Sequence, residues 1–155
     1  MEIKKVAYEN FRNIAEAEVA FTPGTNVLWG NNAQGKTNIL EGIYFFARGK
    51  SFRASSDRET VRFGEQCARA ELTFRRAASA RETVLEAYIP ASGKKKLLRS
   101  GAPLSGVSEM IGDFTAVLFC PEHLSLVSGS PSGRRSFLEI ASAQLAGLYV
   151  GELRR

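Results

Sequence analysis

Cysteine and histidine are scarce in this sequence. Its 155 residues include two cysteines, Cys67 and Cys120, and one histidine, His123. Two thiols are too few for a disulfide framework or a zinc cluster, and one imidazole excludes a multi-histidine metal site. We therefore expect both cysteines to be small core residues or incidental thiols in a reducing cytosol.

Long apolar runs are missing as well. No segment approaches the roughly 18 consecutive apolar residues of a membrane span. The opening residues, MEIKK, contain no apolar core of a secretory signal. The sequence therefore predicts a cytoplasmic protein without a membrane segment. Its length, with 44% apolar and 24% charged residues, is typical of one globular domain.

The charge balance is basic, with 21 lysines and arginines against 16 acidic residues and a net charge of +5. This excess favours polyanionic partners such as nucleotides and nucleic acids. Two clusters are candidate DNA-binding residues: Lys94, Lys95 and Lys96, and Arg134 with Arg135. The lysines fit equally well as the solvated edge of a hairpin. The arginines fit equally well on a helix surface, where Arg135 would pair with Glu139.

Alternating apolar and polar residues predict strands at 2–9, 15–21, 67–74 and 82–89, and a basic edge strand at 94–99. The last three would form an antiparallel meander. Two short apolar runs, 26–29 and 114–120, are predicted to be buried strands.

The sequence predicts helical structure in three segments. After residue 37 the sequence predicts a helix that places Ile39, Leu40, Ile43, Tyr44 and Ala47 on one face and stops at Gly49. Residues 107–111 fit one helical turn. A further helix is predicted to begin at Pro131, with Ser130 as its N-cap, and to continue to the end of the chain.

The segment from Gly30 to Thr37 matches the phosphate-loop pattern G-x-x-x-x-G-K-[ST] without a gap. Gly30 and Gly35 would let the backbone curl so that several N–H groups converge on a polyphosphate. The helix that follows would add its N-terminal N–H groups and the positive end of its dipole. Lys36 would contact the β- and γ-phosphates, and the Thr37 hydroxyl would bind Mg²⁺. The motif predicts ATP and Mg²⁺ as ligands. The alternative is a glycine-rich turn with an exposed lysine.

An acid for hydrolysis is not evident. A phosphate-loop ATPase usually has a second strand that ends in Asp or Asp-Glu and holds the Mg²⁺ shell. The best candidate, 117–119, runs instead into Cys120-Pro121-Glu122, and Asp113 lies at its wrong end. Leu104-Ser105-Gly106 matches part of a transporter-ATPase signature, but without the rest of that motif we interpret it as a surface turn. No catalytic residue is assigned, and whether the chain is an enzyme stays open.

Several blocks of the sequence resemble the N-terminal part of the RecF family of bacterial recombination mediators. The resemblance runs in order through the chain, on residues 10–13, 30–38, 40–44, 49–53, 117–122, 126–129 and 134–139. RecF proteins are related to the heads of SMC and Rad50 proteins, which are ABC-type ATPases that dimerise around ATP and act on DNA. The resemblance implies an α/β phosphate-loop NTPase fold, with a mixed sheet, an antiparallel β-meander and flanking helices in an ABC-ATPase-like lobe.

The resemblance also implies functional residues. Nucleotide binding would involve the loop and two residues of the first hairpin, which are Gly30, Asn31, Asn32, Ala33, Gln34, Gly35, Lys36, Thr37, Asn38, Arg12 and Asn13. Glu122 would lie in a Q-loop-like turn, which couples nucleotide to the partner lobe. The family's signature motif and Asp-Glu strand lie further along, so residues 1–155 would be the first, incomplete part of the ATPase lobe.

The implied function is ATP-dependent DNA binding at gaps, where single and double strands meet, in recombinational repair and replication restart. RecR-type mediator proteins and an ATP-dependent homodimer would be the partners. A self-contained nucleotide kinase is a second hypothesis, but it needs an acidic metal site that the sequence does not supply. A third is a non-catalytic lobe that serves only as a nucleotide-binding or interaction module.

Three positions depart from the family pattern. Ala33 stands where glycine is usual. If this position needs a positive φ, alanine there costs on the order of 1 kcal/mol. Cys120 and His123 replace the usual serine and aspartate around Pro121-Glu122.

Overall fold

Six β-strands form one antiparallel sheet in the part of the chain that the structure describes. This part comprises residues 1–77, 79, 81–120 and 131–145 of a computed structural model. The strands are β1 (Glu2–Phe11), β2 (Ile14–Ala20), β3 (Cys67–Arg75), β4 (Glu82–Pro90), β5 (Lys96–Arg99) and β6 (Ala102–Pro103). Their order is β2-β1-β3-β4-β5-β6, so β2 and β6 are the edges. The helices are α1 (Lys36–Arg48), α2 (Val107–Met110) and α3 (Pro131–Leu145), with a 3₁₀ turn at Asp57–Thr60.

The strands predicted from alternation are confirmed by β1 to β4. In β3 the apolar residues Ala68, Ala70, Leu72 and Phe74 are fully buried, as expected of a strand with one face in the core. β4 and β5 pair antiparallel beside β3, which confirms the meander. β5 differs from the prediction in one respect. It is not an edge strand, because β6 pairs with its outer side.

Helix α1 buries a wide apolar face in the core. Phe45 and Phe46 are fully buried and belong to the same core cluster as residues of β1, β3 and β4. The predicted stop is confirmed, since Gly49 has a φ of 78° and its N–H donates to the Phe45 carbonyl. The predicted face is partly wrong, because Leu40 is 45% exposed. Apolar residues occupy every position from 43 to 47, so spacing alone could not select the side that faces the core.

Two predicted strands, 26–29 and 114–120, do not form. Val27 and Trp29 are 75% and 88% exposed, and Val117 and Phe119 are 97% and 82% exposed. Phe114 does reach the core, where its ring packs edge-on against Phe74 at 5.4 Å between centroids. The predictions are wrong because an apolar run becomes a strand only when a neighbouring strand offers hydrogen-bond partners. Neither run pairs with a strand of the sheet within the described ranges.

The predicted helices after residue 100 are confirmed as far as they are described. The turn at 107–111 corresponds to α2, and the helix predicted from Pro131 corresponds to α3. Ser130, the predicted N-cap, and residues 146–155 lie outside the described residues. No helix in the described ranges has both the length and the apolar content to cross a bilayer.

Candidate functional site

The loop from Gly30 to Thr37 leads directly into helix α1. Its backbone has positive φ at three positions, with values of 141° at Gly30, 64° at Ala33 and 99° at Gly35. Left-handed residues in a turn allow neighbouring N–H groups to form a concave, anion-binding surface. The N-cap residue of α1 is Gly35, which has no side chain to accept a hydrogen bond. The first amides of α1 are therefore left for a ligand, and an anion is the ligand that suits them.

Gly35 lies where the β1–β2 hairpin approaches the loop. A Cβ atom at this position would lie 3.1 Å from Asn13 Oδ1 and 3.3 Å from Ile14 Cγ1. Any side chain would therefore be crowded, and the left-handed backbone would add strain. The second fixed glycine of the motif is thus required by packing against the hairpin as well as by the curvature of the loop.

Lys36 and Thr37 bring a cation and a hydroxyl to the loop. The Lys36 Nζ donates to the carbonyl oxygens of Gly30, at 2.7 Å, and Asn31, at 2.6 Å. The Thr37 side chain is exposed, and its hydroxyl has no hydrogen-bond partner among the described residues. These are the two groups that phosphate and Mg²⁺ binding require of the motif.

Asn13 connects the hairpin to the loop. Its Nδ2 donates to the Ala33 carbonyl at 2.6 Å, and its Oδ1 accepts from Asn38 Nδ2 at 2.6 Å. Since Asn38 belongs to the first turn of α1, the Asn13 amide joins the middle of the loop to the start of the helix. Asn13 therefore stabilises the shape of the loop.

Glu41 is fully buried in α1 and holds two arginines. Arg12 donates to its carboxylate from Nη2 at 2.6 Å, and Arg53 donates from Nη2 at 2.5 Å. The Ser51 hydroxyl donates to the same carboxylate. Burial raises the pKa of Glu41, but hydrogen bonds from Arg12, Ser51 and Arg53 outweigh it and hold the pKa below its ordinary value. The carboxylate is therefore ionised at neutral pH.

The two arginines connect this carboxylate to the surroundings of the loop. Arg53 Nη2 also donates to Asn38 Oδ1 at 2.5 Å. Arg12 Nη1 donates to the Glu59 carbonyl at 2.7 Å, so Arg12 bridges α1 and the 3₁₀ turn. Most of the Arg12 guanidinium donors are therefore committed to protein acceptors, and nucleotide binding by Arg12 and Asn13 stays a prediction.

Sequence reasoning assigned no role to Glu41, Ser51 or Arg53. One signal was present, because Glu41 is the one acidic residue in the α1 sequence KTNILEGIYFFAR and is flanked by apolar residues. A buried charge in such a helix is normally paired. The partners could not be read from the sequence, since they come from the hairpin turn and the segment after the helix.

The remaining predicted residues lie elsewhere. Glu122 is outside the described residues. Lys94 and Lys96 are exposed, whereas Lys95 is 16% exposed and its Nζ donates to the Gly49 carbonyl and to Asp57 Oδ2, both at 2.6 Å. Arg134 and Arg135 are exposed near the start of α3. The DNA-binding candidates therefore occupy two surfaces, one around β5 and one on α3.

The positions that depart from the family pattern have different surroundings. Ala33 has a φ of 64°, so the condition attached to its cost is met. Cys120 is half-buried, Cys67 is exposed, and His123 lies outside the described residues. The described residues contain no group of three or more His, Cys, Asp and Glu side chains placed to hold a metal ion.

A family model described as "AAA ATPase domain" matches residues 1–96. The chain belongs to this family. The matched residues include the phosphate loop, the whole of α1 and the hairpin that carries Arg12 and Asn13. The candidate site therefore lies entirely within the matched part of this AAA ATPase chain.

Curated relatives support the resemblance along the whole chain. The DNA replication and repair protein RecF of Halalkalibacterium halodurans is 39% identical over 154 residues. The protein of the same name from Ligilactobacillus salivarius is 41% identical over 155 residues. Each alignment covers 99% of this AAA ATPase chain and 40% of the relative. The chain therefore spans less than half the length of these relatives.

Solved structures are also similar to this chain. The structure of "the recombination mediator protein RecF-ATP in RecFOR pathway" superposes with a TM-score of 0.92 and 32% identity, over 98% of this chain and 40% of that one. A structure described under "ATP-driven dimerization and DNA stimulated activation of SMC ATPases" gives a TM-score of 0.72 at 19% identity, over 91% and 99% of the two chains. The second likeness shows the fold alone.

The predicted resemblance to RecF and the predicted phosphate-loop lobe of ABC-ATPase type are confirmed by these likenesses. The described sheet differs from a mixed sheet, because every strand pairing in it is antiparallel. The runs 26–29 and 114–120, which were predicted to be buried strands, have no partner strand in the sheet among the described residues.

Proposed function

We propose that residues 30–38 bind ATP with Mg²⁺, and that this chain is the N-terminal ATPase part of a RecF-like DNA-repair protein. One observation carries the proposal. The uncapped N-terminus of α1 and the Lys36 ammonium lie at the same left-handed loop. One of the similar solved structures is described as RecF-ATP, which supports ATP as the nucleotide.

The residues of the site have different roles in nucleotide binding. The loop amides and the first amides of α1 donate to phosphate oxygens, and Lys36 exchanges the Gly30 and Asn31 carbonyls for phosphate. Asn13 keeps the loop in shape, while Arg12 and Arg53 add positive charge beside it. Bound Mg²⁺ would neutralise phosphate charge, and the Thr37 hydroxyl fits it as an oxygen ligand.

We also propose that the chain binds nucleotide without hydrolysing it. Glu41 is the acid of this cluster, and its carboxylate is fully buried and already bonded to Arg12, Arg53 and Ser51. Such a group is not available to activate water. This supports the alternative of a non-catalytic nucleotide-binding module for residues 1–155.

The broader roles belong, in this proposal, to a longer protein. The relatives are about two and a half times as long as this chain, since it covers 40% of them. The runs 26–29 and 114–120, which expose Val27, Trp29, Val117 and Phe119, fit strands whose neighbours come from such a remainder. DNA binding at single-strand and double-strand junctions, contact with RecR-type mediators, ATP-dependent dimerisation and a cytoplasmic location are proposed for that protein.

Calorimetric titration of ATP with Mg²⁺ tests the binding site. We expect Lys36→Ala to weaken ATP binding by about 10- to 100-fold, because a hydrogen-bonded charge pair contributes about 1.5–3 kcal/mol. Lys94→Ala removes the same charge from an exposed position and should leave the affinity unchanged. Equal affinities in wild type and Lys36→Ala would refute the role of Lys36.

A phosphate-release assay on the same wild-type chain tests the absence of hydrolysis. Steady release of phosphate above the Lys36→Ala background would show that an acid of this chain had been overlooked. No release, together with ATP binding, is the expected result.

A further inference from the structure

A second cationic cleft lies at the far end of α1 from the phosphate loop. It has a volume of about 420 Å³. The end of α1 and the segment before the 3₁₀ turn form its walls, and its polar lining residues include Arg48, Lys50, Ser56, Asp57 and Lys95. None of these residues takes part in the proposed ATP site.

Arg48 lines this cleft, and its side chain forms no hydrogen bond to a described residue. Its Nε is buried and forms no hydrogen bond, and its side chain forms no ion pair with any described residue. Burial lowers the pKa of Arg48, which shows that the environment penalises the charge. The Ser56 hydroxyl is also buried. Its oxygen lies in a capping box with the Glu59 N–H, and its proton has no acceptor in the described part of the chain. Two donors that line one cleft therefore lack an acceptor.

The negative groups of the cleft are already neutralised. Lys95 Nζ donates to Asp57 Oδ2 and to the Gly49 carbonyl, both at 2.6 Å, and lies 5.1 Å from the centre of the Phe45 ring. The Gly49 carbonyl belongs to the C-terminal end of α1, where the helix dipole would otherwise repel an anion. Because Lys95 covers both acceptors, the charges of Arg48 and the exposed Lys50 remain uncompensated.

We propose that this cleft binds a phosphate group of a nucleic-acid backbone, with Arg48 and Ser56 donating to its oxygens and Lys50 adding charge. A guanidinium and a hydroxyl are donors that match a phosphate, and backbone phosphates are the commonest contacts of nucleic-acid-binding proteins. The cleft is open to solvent and the chain carries a net charge of +5, both of which suit a long polyanion more than a small enclosed ligand. The inference rests on the nucleic-acid binding proposed above and adds a site to it.

Arg48→Gln is the principal test variant, and Arg62→Gln is its control. Arg62 is half-buried, has no side-chain bond to a described residue and does not line the cleft. We expect Arg48→Gln to weaken binding of a short fluorescent single-stranded oligodeoxynucleotide by about threefold to tenfold, and to reduce the slope of log K against log salt by about 0.7, the share of one phosphate. Ser56→Ala should weaken it by a smaller factor, and Arg62→Gln should bind like the wild type.

The source of the phosphate is distinguished by NMR of the arginine side chains. The Nε–H signal of Arg48 is followed during titration with inorganic phosphate and with the oligodeoxynucleotide, while thermal unfolding confirms that each variant is folded. Saturable shifts with the oligodeoxynucleotide, lost affinity in Arg48→Gln and unchanged affinity in Arg62→Gln support the proposal.

The following results would overturn the proposal. A shift with phosphate alone, with no effect of Arg48→Gln on oligodeoxynucleotide affinity, assigns the cleft to free phosphate. No shift with either probe means that the cleft binds no phosphate. Equal losses in Arg48→Gln and Arg62→Gln mean that only total charge matters. If the wild-type chain binds ATP but no oligodeoxynucleotide, the site in this cleft is refuted while the proposed ATP site stands. Wild-type oligodeoxynucleotide binding that Arg48→Gln leaves unchanged also refutes the site.

Discussion

The carboxylate of Glu41 determines where the two arginines of the nucleotide site lie. It receives hydrogen bonds from Arg12, Ser51 and Arg53 in a fully buried position. A buried ion pair contributes little net stability compared with apolar residues, but the loss of one partner leaves the others uncompensated. Glu41 therefore matters to stability and to the placement of positive charge beside the loop.

Removing the negative charge of Glu41 should destabilise the folded chain. We expect Glu41→Gln to lower the free energy of unfolding by about 3 kcal/mol, because two guanidinium groups lose their counter-charge and one of the two acceptor oxygens becomes a donor. Glu18→Gln removes an exposed partner of Lys5, at 64% side-chain exposure, and should cost less than about 1 kcal/mol. Urea denaturation measures both. Similar small losses in the two variants would contradict the role given to Glu41.

Wild type and Glu41→Gln should also differ in how their stability depends on pH. The pKa of Glu41 is lower in the folded than in the unfolded chain, so its contribution is fully present above the unfolded pKa and is lost as pH falls through the folded one. The stability difference between the two proteins should therefore be constant near neutral pH. It should shrink below the ordinary glutamate pKa of about 4.3. A difference that grew on acidification would have the wrong sign.

Ala33 illustrates strain at a single position. Its φ of 64° is in the left-handed region, which glycine adopts at lower cost than alanine. We expect Ala33→Gly to raise the free energy of unfolding by about 0.5–1 kcal/mol. Ala91→Gly, at a turn residue outside the left-handed region, should lower it by about 0.4–1 kcal/mol through the entropy of the unfolded chain. The test is the opposite sign of the two changes in thermal unfolding.

The role of some residues could be predicted from the sequence, whereas the role of others could not. Lys36, Thr37 and Gly35 lie in a local motif whose spacing predicts their chemistry. In the structure Gly35 is the N-cap of α1, and Lys36 donates to the carbonyl of Gly30 in the same loop. Glu41 and Arg53 meet only after the chain folds, 12 residues apart in sequence. No local pattern encodes such a meeting, which is why their pairing was not predicted.

Among the elements, α1 and β1 are in close contact. A Cβ atom on Gly42 would lie 2.2 Å from Cε1 of Tyr8, and the Tyr8 hydroxyl donates to the Ile39 carbonyl at 2.8 Å. Gly42 therefore lets the helix lie against the Tyr8 ring of the strand.

The fit predicts opposite effects for two helical glycines. Gly42→Ala should lower the free energy of unfolding by about 1–3 kcal/mol through overpacking, despite the better helix propensity of alanine. Gly133→Ala in α3, where a Cβ atom would have nothing within 4 Å, should raise it by about 0.5–1 kcal/mol. Chemical denaturation of both variants measures these changes. Stabilisation by Gly42→Ala would contradict the close contact between Gly42 and the Tyr8 ring.

Strands and helices also differ in how well the sequence predicts them. The alternation in β1, β3 and β4 is sufficient because each strand finds a neighbour in the same sheet. The runs 26–29 and 114–120 have equally good strand composition, but no partner among the described residues. A helix such as α1 completes its hydrogen bonds within itself, so its bounds follow from the local sequence.

For the molecule as a whole, Trp29 is a built-in probe of the uncovered apolar runs. It is the one tryptophan of the chain and is 88% exposed. We expect acrylamide to quench its fluorescence almost as efficiently in the folded chain as in urea. In a version extended by the residues that follow in a RecF-like protein, quenching should fall markedly, because neighbouring strands would cover the run. Strong protection of Trp29 in the present chain would contradict its exposure.

The two edge strands of the sheet, β2 and β6, affect whether molecules associate at high concentration. β2 presents exposed Glu16 and Glu18, and β6 is two residues long and contains Pro103, which has no N–H to donate. Neither end is a good template on which a second molecule could add a strand. Fibril-like growth is therefore opposed at both edges of the sheet. At β2 the like charges repel a second molecule, and at β6 the proline lacks an N–H donor.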